Sequence, residues 1–273
     1  MFFLGSAYPT GKLGLNASIP PILFGSLRMI IVFFCLLPFL KFKIPNKKYF
    51  LPLVGFSFAM GVGVNLFLYL SINASKIMSP IVIGAQISIP LAILISSIFM
   101  GESISKKKWI FIFSSFVGIL LIGFDPKIAD EIIGFLLICC MAFFYGIAQV
   151  LSRYLKDLDV KFTNAFMGLF GFLILLILSI LFEGNTISHL KNFSTDAWLL
   201  ALHHGILCSL MGHMAMFYLY KFYPVGNVLP FYALFPVFGI MLSFFIFGEI
   251  PTIIMSLGGI IVITSVYLLQ KSS

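Results

Sequence analysis

The sequence predicts an all-α polytopic membrane protein of ten transmembrane helices, built as two inverted five-helix repeats. Three observations carry this. Apolar residues make up 61% of the 273 and charged residues 10%, a balance that no soluble surface supports. Apolar stretches close to the 17–25 residues needed to cross a bilayer recur along the whole chain. And FPVFGIMLSFFIFGEIPT (235–252) repeats ISIPLAILISSIFMGESIS (87–105), with Gly-Glu closing a proline-containing apolar segment in both and Glu249 lying 147 residues after Glu102. The first copy runs into Lys106, Lys107 and Lys108 and the second into no lysines, an asymmetry expected of copies of opposite orientation, as in many secondary transporters.

Apolar runs read against charged and Pro/Gly breaks place the spans at 2–15, 20–40, 50–70, 77–100, 108–124, 132–151, 163–182, 197–220, 226–247 and 252–270. The repeats then cover 1–124 and 131–270. No alternating strand pattern is present, so a lipid-facing barrel is not expected. Span 1 is short, contains Pro9 and Lys12, and begins at Met1; it is expected either to cross incompletely or to have its true start upstream. No basic n-region marks it as a signal peptide.

The net charge of +8 is a topology signal rather than a nucleic-acid site. Twelve of the 17 basic residues, among them Lys41, Lys43, Lys106 to Lys108, Arg153, Lys156 and Lys271, follow even-numbered spans. By the positive-inside rule those ends, and both termini, are cytoplasmic in a bacterial inner membrane. Cys35, Cys139, Cys140 and Cys208 fall within spans at no metal-ligand spacing, so neither a metal nor a cofactor is expected.

Helical spacing supplies candidates for a solute site. Gly61, Asn65 and Tyr69 recur every four residues in span 3, and Ser79, Gln86 and Pro90 form a stripe in span 4. Span 6 offers Tyr145 and Gln149, span 8 Ser209, His213 and Tyr220, and span 9 Tyr232, Pro236 and Gly239. For Asn65, Gln86 and Gln149 the competing reading is interhelical hydrogen bonding; for Tyr69 and Tyr220 it is the interfacial aromatic belt. His213 is an ionisable group deep in a span, whereas His203 and His204 are expected to meet water, His204 lying half a turn around the helix from His213. Pro90 and Pro236 each remove a backbone hydrogen bond mid-span and read as hinges or packing kinks. Glu102 and Glu249 read as helix-end residues fixing the turn into the next span, and Gly118 and Gly258-Gly259 as sites of close helix approach.

The chain resembles the EamA family of the drug/metabolite transporter superfamily. The resemblance rests on FLGSAYPTGKLGL (3–15), PPILFGSLRMIIVFF (20–34), GAQISIPLAILISSIFMGESISKKKWIFIFSSFVGILLIG (84–123), YPVGNVLPFYALFPVFG (223–239) and SFFIFGE (243–249). Phe3 departs from it, standing where that family usually has Trp. The resemblance implies a central cavity lined mainly by spans 1, 3, 4, 6, 8 and 9, and the branch most similar exports O-acetylserine and cysteine. It also matches Lys12 and Arg28 to positions that are usually basic. Both can snorkel; of the two, Lys12 is the candidate for a substrate carboxylate, because span 1 belongs to the implied lining, and Arg28 reads as structural.

The expected function is therefore secondary transport of a small polar metabolite, an amino acid or derivative, outward by alternating access, with a proton or counter-solute as coupling partner. The expected partners are that solute and the lipid bilayer. The alternatives are a polytopic membrane enzyme or a non-transporting scaffold; the first would need Asp or His residues clustered at a membrane face.

Overall fold

A computed structural model describes residues 1–40, 45–100, 104–129, 131–184, 186–222 and 234–271. Among them there is no strand. The longer helices are α1 (Phe2–Asn16), α2 (Pro21–Leu36, extended by a 3₁₀ turn to Phe39), α3 (Lys47–Ala74), α4 (Ser79–Phe99), α5 (Lys106–Gly123), α6 (Ile132–Tyr154), α7 (Val160–Phe182), α8 (Thr195–Leu219), α9 (Phe235–Phe247) and α10 (Ile253–Lys271). Two short helices, Pro126–Ala129 and Thr186–Lys191, occupy connections. Six helices, α2, α3, α4, α6, α7 and α8, are long and apolar enough to cross a membrane. α9 and α10 are shorter apolar helices, and α5 opens on three lysines. The predicted span at 226–247 lies partly outside the described residues, as do Tyr232 and Glu102.

Helix starts follow local chemistry. Ser105, Asp159 and Ser194 accept hydrogen bonds from the Lys108, Lys161 and Ala197 amides at the heads of α5, α7 and α8. α2 opens on Pro21, whose missing N–H costs nothing there. Its next two amides, Ile22 and Leu23, donate to the two oxygens of Glu183 at 2.6 and 2.9 Å, joining the head of α2 to the end of α7. Gly248, at φ 68°, ends α9 in the left-handed conformation that glycine adopts without steric cost.

Three helices depart from α geometry. α3 is π-helical over Ser57–Val64 and α8 over His203–Met214. α4 tightens to a 3₁₀ turn at Ala85–Ile87. That turn directly precedes Pro90, which has no amide to offer the Gln86 carbonyl, so the helix is free to wind more tightly there.

The strongest packing pairs are α2 with α7, α5 with α10, α1 with α9, α4 with α6, α3 with α6, α3 with α7, α2 with α8, and α1 with α8. Adding five to each label, counted round from ten to one, returns the same set: α1–α9 becomes α6–α4, α1–α8 becomes α6–α3, α2–α8 becomes α7–α3, and α2–α7 and α5–α10 map onto themselves. The π stretches obey the same rule, starting at 57 and 203 in α3 and α8.

Two glycine crossings set the closest approaches. A Cβ on Gly118 would sit 2.9 Å from the Gly258 carbonyl oxygen, and one on Gly258 2.8 Å from that of Gly118, so α5 and α10 cross backbone to backbone. At the α3–α7 crossing, a Cβ on Gly171 would lie 2.8 Å from the Gly61 oxygen. Small residues at such crossings are how helices associate where lipid removes the hydrophobic drive between them. Large apolar side chains face outward instead, among them Leu51, Phe113, Phe182 and Phe245, while the interior holds Asn65, Gln86, Arg28 and His204.

Candidate functional site

At the centre of the bundle is a cavity reached by α1 (Leu4, Ala7, Tyr8), α2 (Arg28), α3 (Val64, Leu68), α4 (Ala85), α6 (Met141, Tyr145), α8 (His213) and α9 (Phe235). Its free space is about 40 Å³, room for about three waters. The rings of Tyr8 and Phe235 stack at 5.9 Å on one wall, and Tyr145 leans on His213 at 5.6 Å on another.

Arg28 is the charged group of this cavity. It is 1% exposed, which removes the snorkelling reading. Seven residues into α2, it sits about 10 Å below the helix start at 1.5 Å per residue. Its Nε donates to Ser209 Oγ at 2.7 Å, and that hydroxyl in turn donates to the His204 carbonyl at 3.0 Å. The π stretch of α8 brings these two residues together. No carboxylate pairs with Arg28 among the described residues.

His204 is fully buried rather than water-facing. Thr10 Oγ1 gives its proton to the Ser6 carbonyl at 2.6 Å, so it accepts from His204 Nε2 at 3.0 Å. His204 Nδ1 is then the acceptor for the Tyr69 hydroxyl at 2.8 Å. This assigns a neutral ring carrying its proton on Nε2. Tyr69 is fully buried and stacked on Phe24 at 4.5 Å, so it does not belong to an interfacial belt. The half-turn separation of His204 from His213 assumed α periodicity throughout, and the π stretch spans both.

The other sequence candidates separate. Lys12 turns away from the cavity: its Nζ donates to the Ser75 and Ile72 carbonyls at 2.5 and 3.3 Å, at the end of α3. Asn65 is buried but absent from the cavity wall. Its amide donates to the Met60 and Gly61 carbonyls of its own helix at 2.9 and 3.2 Å, where π winding displaces the ordinary ladder. Val64 and Leu68 face the cavity in its place. Gln86 is buried within the 3₁₀ turn beside the cavity-lining Ala85. Gln149 is buried, and neither amide atom has a hydrogen-bond partner among the described residues. His213 lines the cavity with Nδ1 likewise unpartnered among them. Pro90 is buried mid-helix, whereas Pro236 falls in the first turn of α9 as described.

A second polar cluster surrounds the α3–α4 turn. Glu131, ahead of α6, accepts the Lys76 and Ile77 amides at 2.9 and 3.2 Å; Glu249, after α9, accepts the Met78 amide at 2.8 Å. Lys12 holds the carbonyls just upstream and lies in the field of both acids. Burial pushes the Glu249 carboxyl above its ordinary value, and the Met78 and Ser79 amides draw it back. Five helices, α1, α3, α4, α6 and α9, are thus tied at one end of the cavity. The expectation that Glu249 fixes the turn into the following span does not describe this contact, which is made at the α3–α4 turn 171 residues away. Among the described residues no His, Cys, Asp and Glu group is arranged to hold a metal.

Fold and site together define a multi-pass helical membrane protein with a largely apolar central cavity into which Arg28, Tyr8, Tyr145 and His213 bring polar groups. Residues 1–124 and 132–270 match the EamA-like transporter family. The chain belongs to that family, whose transporters are generally non-enzymatic. It is similar to the "Uncharacterized transporter in sor 3'region" of Acidianus ambivalens, with 29% identity over 157 residues, 57% of this chain and 59% of that protein. The chain's match therefore spans under two thirds of that curated relative. A solved chain described as "Crystal structure of protein" aligns with a TM-score of 0.67 at 17% identity, over 98% of this chain and 96% of that one; the likeness is one of fold.

Proposed function

We propose that the protein is a secondary transporter that carries a small polar metabolite, an amino acid or derivative, out of a bacterial cell across the inner membrane by alternating access. The observation that carries this reading is the central cavity, walled by helices from both family-matched stretches and lined by Tyr8, Arg28, Tyr145 and His213. Ten crossings in two inverted repeats, 1–124 and 131–270, account for a packing scheme that maps onto itself when five is added to each helix. They also account for the paired π stretches. With both termini cytoplasmic, the cluster around the α3–α4 turn lies on the outer side and closes the cavity there. Pro90 and Pro236 serve as hinges between the halves, and Gln86, Gln149 and Tyr232 join the lining when the cavity opens. The outward direction and the amino-acid class rest on the family resemblance.

Purified full-length protein in proteoliposomes preloaded with an unlabelled amino acid should take up the same labelled amino acid by counterflow, with a proton gradient as the second variable. Absence of counterflow for every common amino acid, with folded protein in both orientations, would overturn the reading. A reporter fused after Ser273 should be cytoplasmic and one inserted at Asn185 external; a cytoplasmic reporter at Asn185 is incompatible with inverted repeats.

A further inference from the structure

We propose that Arg28 is the anchor for a carboxylate on the bound solute, so that the cavity selects small monocarboxylates. The proposal rests on the transport reading only for what happens to the solute after it binds. A guanidinium in a membrane interior is costly to keep and is normally paired. Here it is buried at the cavity wall, with no acid beside it among the described residues. Ser209 takes Nε, and the Ser209 hydroxyl is itself fixed by the His204 carbonyl. Tyr69 is a second side-chain partner of the guanidinium, and the head group, held by Ser209 and Tyr69, still has N–H donors on its terminal nitrogens for a ligand. A planar fork of that kind matches the two oxygens of a carboxylate.

The surroundings fix the charge and size of the ligand. Lys12, the other basic residue of the spans, is committed to the Ser75 and Ile72 carbonyls. His204 is committed as a neutral ring to Tyr69 and Thr10. One fixed positive charge thus faces the cavity from the described residues and is matched by one negative charge; a phosphate ester would bring a second without a partner. His213 Nδ1, unpartnered among the described residues, lies on the same wall system and suits a second polar group on the solute. Leu68, Met141 and Phe235 supply an apolar surface for its carbon skeleton.

The sequence contains two arginines, Arg28 and Arg153, which permits a test on the intact site. In the full-length Arg153→Lys protein, phenylglyoxal modification of Arg28 is followed by mass spectrometry. The common amino acids, the same compounds as carboxamides, and inorganic phosphate are each added as protectants. At about ten times its dissociation constant an acid that occupies the site should slow modification about tenfold, while its carboxamide leaves the rate unchanged. Equal protection by acids and amides, protection by phosphate alone, or no protection overturns the proposal. So does an Arg28 that never reacts, since its guanidinium would then be closed to solutes. Protection by acids without counterflow would retain the site and remove the transport reading; counterflow without selective protection would do the reverse.

Discussion

Replacing Gly171 with leucine is expected to eliminate folded protein. Gly171 faces Gly61 where α7 crosses α3, and even a methyl group there would lie 2.8 Å from the Gly61 oxygen and 3.0 Å from its carbonyl carbon and Cα. These are backbone atoms and cannot rotate aside. Gly171→Ala must push the helices apart and should cost about 1–3 kcal/mol as an overpacking change; Gly171→Leu adds three more carbons to the same contact. Size-exclusion profiles and thermal unfolding in detergent are the measurements, and a monodisperse Gly171→Leu protein with the parental Tm would show that α3 and α7 do not approach this closely. The crossing also sets the distance between α2 and α3, since both pack on α7, so partial folding should disturb the Arg28 side of the cavity first.

Glu131→Ala should be the most damaging change at the cluster around the α3–α4 turn. Glu131 is 7% exposed, and one of its oxygens accepts both the Lys76 and Ile77 amides. Truncation leaves two backbone donors without their acceptor at about 1–3 kcal/mol each, and removes a negative charge whose field reaches Lys12. Glu131→Gln retains an acceptor oxygen in the same place and should lose about half as much, because neutral acceptors are weaker than charged ones. The comparison separates a hydrogen-bonding role from bulk: alanine and glutamine variants with the same Tm would mean that the amides are satisfied by other groups. If the cluster closes the outer end, the alanine variant should also admit thiol reagents from outside to a cysteine placed at Ala7, where the parent excludes them.

Much of the bundle was legible because its signals are lengths and breaks. Pro21, Pro126 and the Lys106–Lys108 run punctuate apolar stretches, and the described helices begin and end within a few residues of them. The cavity was legible only in part. Tyr145 and His213, both singled out as polar groups within apolar spans, line it. Asn65 was misplaced because a spacing of four marks a common face only in an α-helix, and residues 57–64 are wound more loosely. Nothing in a string of apolar residues announces such winding. Arg28 and Lys12 exchanged their expected places for a related reason. Depth along a helix can be counted, but the direction of a side chain depends on neighbours distant in sequence: Ser209 for Arg28, and the end of α3 for Lys12.

The loose winding of α3 and α8 also bears on which length changes the chain tolerates. A π turn closes its hydrogen bonds over five residues where an α turn uses four, so such a stretch contains surplus backbone. Removing one residue between Ser57 and Val64 can be absorbed by rewinding to ordinary α geometry, leaving both flanks of the helix in register. The same deletion in the middle of α7 or α10, which have no slack of this kind, turns every following side chain by about 100° about the axis. That rotation would carry lipid-facing phenylalanines inward. Single-codon deletion scanning should therefore find expression retained within 57–64 and 203–214 and lost across the centres of α7 and α10. These two stretches are where this chain is expected to lose a residue without loss of the fold.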